Sequence, residues 1–494
     1  MTTTGSTTPP PATPPPPAVP GARTYPFLLA GELRMGSDVA PWPIYAPWSG
    51  ELVGHAAVAT AAEVRAALDA AVEAAPAARA LPAHARAAAL ERVADGLAAR
   101  SEELVRLLAA EAGKPLSNAR LEVERARFVF RTAAEEAKRI GGEVIPTDLT
   151  PAGEGRLAMV RRFPLAPIAA ITPFNFPVLL AAHKVAPAMA CGATLVLKPP
   201  PQDPLSTLLL GEILAESGYP PGALSVLPCS VEDAAPLLDD PRVRMVSFTG
   251  SARAGWAIRA RAATKKVTLE LGGNAGVVVE PDADLEFAVR RCAAGGFVYA
   301  GQSCISVQRI LVHASRYDEF AERMTAAVAA LRAGDPLDEA TDVGPMIDAA
   351  AAERAESWVR EAVAGGARLA VGGGREGALL EPTLLLDTRR EMRVECEEVF
   401  APVVTLRPYD DFEAALAMID DSPYGLQAGV FTHDLRRVMR AWEALDVGGV
   451  VINDIPGFRV DHLPYGGVKA SGAGREGVRW AIDDMTEPRL LILG

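Results

Sequence analysis

No stretch of 18 or more apolar residues runs free of proline or polar interruption, so a membrane-spanning helix is not expected. The N-terminus lacks the basic and apolar regions of a secretory leader. Cysteine is scarce: five residues, at 191, 229, 292, 304 and 396, an odd number without paired spacing. That suits reduced thiols in a cytoplasm rather than a disulfide framework. Six scattered histidines build no metal-ligand motif, and no metal is expected. Basic residues number 49 against 62 acidic ones, and the net charge of −13 argues against a nucleic-acid surface. The G-x-G-x-x-G fingerprint of many dinucleotide sites does not follow a first strand.

What is present fills 494 residues, too many for one core and enough for two or three domains. Apolar residues make up 49% and charged ones 22%, a globular balance. Residues 1–20 are Thr/Pro-rich with nothing large to bury, which predicts a disordered or polyproline-like tail. From 61 to 138 the chain is Ala/Glu/Arg-rich at helical spacing, without a sustained heptad. Short β-rich runs then alternate with helices. Strands are expected at 168–172, 193–199, 224–228 and 245–250, then near 276–280, 307–313, 403–408, 427–432 and 449–453. Helices fall between them, including 178–190, 204–217, 231–239, 283–300, 316–333, 411–420 and 434–445. This rhythm predicts an α/β chain of two doubly wound parallel sheets meeting near 270–275. GRLAMVRRFPL at 155–165 and the terminal PRLLILG fit neither half, and an exposed strand carrying LLIL invites pairing.

Three stretches carry chemistry. Cys304, in FVYAGQSCIS, falls on a loop between a helix and a strand, a place for reactivity as much as for packing. Glu270, in VTLELGG, is a carboxylate among apolar residues, and burial there would raise its pKa toward that of a general base. Asn175, in TPFNFP, follows a strand end, where an amide can donate to an oxyanion or simply cap a turn. SFTGSARAG offers a strand–Gly–helix turn, which is either an ordinary βα turn or one whose N–H groups meet a phosphate.

Together TPFNFP, LVLKP, SFTGSARAG, LELGGN, GQSCIS, EEVFAPV and PYGGVKASGAGRE resemble, in order, the motifs of NAD(P)-dependent aldehyde dehydrogenases, from about residue 25 to the end. The resemblance implies a fold of two α/β domains plus a small β oligomerisation arm. It places an NAD(P)-binding domain at 21–143 and 166–272, a catalytic domain at 273–472, and the arm at 144–165 and 473–494 of a homodimer or homotetramer. By the same resemblance Cys304 is the nucleophile, Glu270 the base and Asn175 the oxyanion donor. NAD or NADP would be held by Thr172, Pro173, Phe174, Lys198, Phe248, Gly250, Ser251, Gly255, Leu271, Glu398 and Phe400. Pro201 stands where a ribose-binding glutamate is common, which leaves cofactor choice open, with NAD favoured. Arg125, His183, Ser303, Arg459 and His462 are expected around the substrate and point to a small polar or anionic aldehyde. A Ser at 303 argues against a strongly phosphate-gripping pocket, and the lactaldehyde- and phosphonoacetaldehyde-type branch is the nearest likeness. The competing readings are transfer of the acyl group to CoA, against which Glu270 speaks, and a relative that has lost activity.

Overall fold

The computed structural model describes residues 22–36, 39–262 and 264–494, so the expectation for the 1–20 tail lies outside the described residues. Five short apolar runs form the parallel centre of a first, eight-stranded sheet. Their order is Lys266–Glu270, Met245–Thr249, Ile168–Ile171, Leu195–Lys198 and Leu224–Val226. Cover on both faces lets these strands be continuously apolar instead of alternating. Helices Pro177–Cys191 and Leu205–Ala215 are buried nearly all round and are correspondingly apolar. The Ala-rich region forms four helices, Ala61–Ala80, Ala83–Ala99, Ser101–Ala112 and Leu116–Ala137, the first opened by a Thr60–Glu63 capping box.

A second sheet has seven strands, in the order Arg368–Val371, Thr383–Leu386, Val403–Tyr409, Arg309–His313, Gly276–Val279, Gln427–Phe431 and Gly449–Ile452. All run parallel except the first. Val277 and Val279 enter the core on one face while Val278 enters the core on the other. The strands Arg368–Val371 and Thr383–Leu386 go beyond those expected. One is a half-exposed edge, and a glycine-rich turn between them hides the rhythm.

Gly142–Ile145, Leu157–Pro164 and Thr486–Leu493 make a small antiparallel sheet whose outer Leu490, Leu491, Ile492 and Leu493 are exposed. It starts at Gly142, ahead of the arm boundary expected at 144. Helix Val478–Asp484 sends Val478 and Ile482 into the first core rather than into the arm. The helix expected over 283–300 ends at Phe297. Tyr299, Ala300 and Gly301 follow with φ of 48°, 51° and 68° and turn the chain back ahead of Cys304. Left-handed backbone costs a non-glycine residue roughly 1–2 kcal/mol. Here Tyr299 is held by its N–H on Asn118 Oδ1 at 3.0 Å and its hydroxyl on Ala112 O at 2.8 Å. Among the described residues no helix is long and apolar enough to cross a membrane.

Candidate active site

A cavity of about 540 Å³ opens at the C-terminal ends of the first sheet's strands and takes its far wall from the second half of the chain. Glu270 closes its strand, Asn175 follows Ile168–Ile171, and Cys304 lies in the loop before Arg309–His313. All three line the cavity. The Gly272–Gly273 pair lets the strand end pass beneath the cysteine loop, since a Cβ on Gly273 would stand 2.2 Å from the Cys304 carbonyl oxygen.

Burial pushes the Cys304 thiol up to about 12, against the pull of a hydrogen bond from Tyr465 and the charge of Arg459. Its Sγ lies 3.0 Å from Tyr465 Oη. Asn175 donates Nδ2–H to the Gln302 carbonyl at 3.0 Å, and its own carbonyl accepts from Lys114 Nζ at 2.8 Å. Lys114 in turn pairs with Glu122, whose carboxylate accepts the N–H groups of Val178 and Leu179 at 3.0 and 3.2 Å. The loop before helix Pro177–Cys191 is thus held from below.

Two carboxyl groups in the cavity are driven apart. Glu270 is 3% exposed, and among the described residues neither of its oxygens has a hydrogen-bond partner. Burial first, then the charge of Glu476, raise it well above the ordinary carboxylate range. Glu476 is equally buried, yet Lys184, His183 and Arg459 hold it down at about 2. Lys184 Nζ stands 3.1 Å from its Oε1. One acid is biased toward its protonated form and the other toward its charged form, the usual division for acid–base work. Gly466, at φ 154°, lets the facing loop pass against Glu270, because a Cβ there would lie 2.8 Å from Oε1.

Of the expected cofactor residues, Pro173, Phe174, Gly250, Ser251, Leu271, Glu398 and Phe400 line one end of the cavity. Phe174 and Phe400 meet edge to face at 5.9 Å, and Ser251 Oγ caps helix Ala252–Arg261. Glu398 accepts the Gly273 N–H at 2.8 Å, and burial pushes it up to about 7. Thr172, Lys198, Phe248 and Gly255 stand outside the lining. Lys198 is 7% exposed, and its ammonium reaches only the Pro199 carbonyl at 3.4 Å. Gly255 allows its helix to close on Leu271, whose Cδ2 would be 2.4 Å from an added Cβ. A dinucleotide fits this end: among the described residues the buried Thr249 hydroxyl is unpartnered and Lys198 holds just one long bond to Pro199, and the helix N-terminus points in. The G-x-G-x-x-G spacing does occur at 372–377 and 472–477, but neither match follows a first strand.

Arg125, Ser303 and Arg459 line the other end. Arg459 lies within 3.3 Å of Asp461 and 3.5 Å of Glu476, with its guanidinium carbon 3.7 Å from the Tyr465 ring centre. His183 sits behind it, Nε2 3.0 Å from Arg459 Nη2 and 3.1 Å from Asp461 Oδ1. Burial and then Arg459 lower its pKa. His462 is not brought to the cavity; it is exposed and stacks edge-on against Phe128.

A family model described as the aldehyde dehydrogenase family matches residues 35–491. The chain belongs to that family. The 3-sulfolactaldehyde dehydrogenase of Priestia aryabhattai is 46% identical over 82% of this chain and 85% of its own. Aldehyde dehydrogenase 21 of Physcomitrella patens, solved with the reaction product succinate, superposes with a TM-score of 0.94 at 45% identity, covering 96% of this chain and 98% of its own. A glyceraldehyde-3-phosphate dehydrogenase of Methanocaldococcus jannaschii, solved with NADP, gives 0.88 at 38% identity, over 92% and 100% of the two chains. This aldehyde dehydrogenase is therefore an NAD(P)-dependent oxidoreductase with the fold its motifs imply.

Several groups in this aldehyde dehydrogenase escape sequence reasoning. Tyr465, Glu476, Lys184 and Asp461 all bear on the catalytic cavity through long-range contacts. Arg354, beside Glu398 with Nη2 on the Val399 carbonyl at 2.7 Å, and Arg291, tied through Nε to Asp454 at 2.6 Å, also line it. Glu476 ends the PYGGVKASGAGRE run and Lys184 adjoins His183, so the signal available for them was their company with these residues.

Proposed function

We propose that this enzyme oxidises a small polar or anionic aldehyde to its carboxylic acid with NAD(P)+, through covalent attachment of the substrate to Cys304. The observation that carries the reading is the convergence of Cys304, Asn175 and an unpartnered, buried Glu270 on one cavity. The Cys304 thiolate adds to the aldehyde carbon, giving a thiohemiacetal. Asn175 keeps one amide hydrogen for the developing oxyanion, because Gln302 O takes only the other. Phe174, Glu398 and Phe400 would hold NAD(P)+, which would supply the hydride acceptor for that carbon, and loss of hydride leaves a thioester on Cys304. Glu270, once ionised, removes a proton from water as it attacks the thioester. Glu476 stays ionised against Lys184 and favours the return of Glu270 to its protonated form.

Arg459 in the cavity wall, the sulfolactaldehyde relative and the succinate bound to the moss relative support an anionic substrate. The division into a cofactor-binding half, a catalytic half and an oligomerisation arm belongs to the same reading. The test is formation of NADH or NADPH with lactaldehyde, succinate semialdehyde, sulfolactaldehyde and phosphonoacetaldehyde against hexanal and benzaldehyde. A higher kcat/KM for the apolar pair overturns the substrate reading. An absolute need for CoA overturns the hydrolytic one. Activity in Cys304→Ala overturns the covalent step.

A further inference from the structure

We propose that Tyr465 is a catalytic residue of this enzyme: its hydroxyl donates a hydrogen bond to the Cys304 thiolate, making the nucleophile easier to form and fixing its position. The proposal rests on Cys304 being the nucleophile and adds a partner to it.

The geometry comes first. Tyr465 Oη lies 3.0 Å from Cys304 Sγ and has no other hydrogen-bond partner among the described residues. The phenol is 93% buried by the measure of its 7% exposure, so water does not offer an easy substitute. Two other buried tyrosines satisfy the hydroxyl on backbone carbonyls, Tyr219 on Ala193 at 3.0 Å and Tyr299 on Ala112 at 2.8 Å. Tyr465 is spent on a sulfur instead. A neutral thiol is a weak acceptor, whereas a thiolate is a strong one and cannot donate back. The O–H must therefore point at sulfur whenever the nucleophile is charged.

The ring is held where this requires. The Tyr465 backbone forms a two-residue bridge with Glu476, N–H to carbonyl at 3.0 and 2.6 Å. Ile305 and Leu426 pack with it, and the Arg459 guanidinium carbon stands 3.7 Å from the ring centre. A cation on the ring face draws electron density from the phenol and strengthens its O–H as a donor. Burial and the acid of Glu398 oppose a thiolate, and the charge of Arg459 favours it without a hydrogen bond to the sulfur. Among the described residues, the hydroxyl of Tyr465 is the one hydrogen bond to the sulfur that favours it. No bond to the phenol forms or breaks. Tyr465 keeps its proton, the thiol proton leaves to solvent, and the hydrogen bond weakens as sulfur gives its electron pair to the aldehyde carbon.

Tyr465→Phe tests this, since the ring under Arg459 is kept and only the hydroxyl goes. The readout is the rate of Cys304 carboxamidomethylation by iodoacetamide against pH in the full-length enzyme. It is mapped to the Cys304 peptide because Cys396 is also partly exposed. The thiolate limb is expected to move up by about one pH unit, so that alkylation slows roughly tenfold at neutral pH. Cofactor affinity, followed by fluorescence, is expected to hold. The pre-steady-state burst of reduced cofactor should slow by a similar factor at pH 7 and recover as pH rises. An unshifted alkylation profile, or a burst slowed equally at every pH, overturns the proposal in favour of a packing role. Cys304→Ala run alongside separates the two ideas: if it still oxidises aldehydes, the nucleophile itself is misassigned, whatever Tyr465→Phe does.

Discussion

Arg125 gives two donors to Asp461, Nε to Oδ2 at 2.9 Å and Nη2 to Oδ1 at 2.7 Å. Burial disfavours the charged form of Asp461, but the hydrogen bonds from His183 and Arg125 more than offset it and hold the carboxyl below its ordinary range. The same Oδ1 lies 3.3 Å from Arg459 Nε, so one anion organises both guanidinium groups of the substrate end.

Asp461→Asn consequently sets charge against orientation. If charge alone mattered, losing an anion would tighten binding of an anionic aldehyde. Orientation is expected to win, because asparagine keeps one acceptor oxygen where the Arg125 fork uses two, and Arg459 loses its anionic partner. KM for succinate semialdehyde should rise about tenfold, near 1.4 kcal/mol, the size of one charge-assisted hydrogen bond. KM for a neutral aldehyde such as hexanal should change less. A fall in KM for the anion would refute the orienting role.

Glu270→Gln should give a burst of reduced cofactor followed by very slow turnover, because acylation of Cys304 does not need the base and hydrolysis does. The native enzyme adds a pH signature. A raised pKa keeps Glu270 protonated through the acid range, and only its ionised form accepts a proton. Steady-state kcat should therefore increase with pH, with its limb above the usual carboxylate range, and that limb should vanish in Glu270→Gln. Rapid-mixing absorbance across a pH series checks both; a missing burst would count against the assignment.

Cys304, Glu270 and Asn175 were legible because each sits in a short local motif at a strand end or loop, where a few neighbouring residues set the backbone. The parallel strands were legible for a similar reason, since cover on both faces forces continuous apolar runs. What surrounds the three was not. His183 meets Asp461 across 278 residues, Lys184 meets Glu476 across 292, and Cys304 meets Tyr465 across 161. No local pattern records such pairings. The end of the helix at Phe297 was also hidden, because FVYA has ordinary helical composition and only the contacts of Tyr299 hold it in the left-handed region.

Cofactor choice should be permissive. Lys198 is buried at its strand end with a long contact to Pro199 as its only hydrogen bond among the described residues, and Pro201 beside it brings no carboxylate to repel a 2′-phosphate. The ratio of kcat/KM for NAD over NADP should stay below about a thousandfold, near 4 kcal/mol. Pro201→Glu, at an exposed position, should lower kcat/KM with NADP by roughly 10- to 100-fold while leaving NAD nearly unchanged, by like-charge repulsion at close range. Equal losses with both cofactors would mean that residue 201 does not face the ribose.

The support beneath Asn175 should show in stability. Lys114 and Glu122 are each 0–1% exposed, so neither can be removed without leaving the other charge in the interior. Breaking such a pair from one side costs on the order of 3–5 kcal/mol, whereas neutralising both partners costs much less. Lys114 also sits 4.0 Å from the Phe176 ring centre and 4.4 Å from that of Tyr299, so its ammonium joins the Asn175 loop to the turn that precedes Cys304. Lys114→Met should lower the thermal transition markedly. Adding Glu122→Gln should restore most of the loss, because a glutamine oxygen can still accept the Val178 and Leu179 N–H groups. The double variant should remain slow in the hydride burst despite its recovered stability, since the Asn175 carbonyl has lost its donor. Scanning calorimetry ranks the variants, and rapid mixing measures the burst. A double variant no more stable than Lys114→Met would show that the buried pair is not what holds this loop.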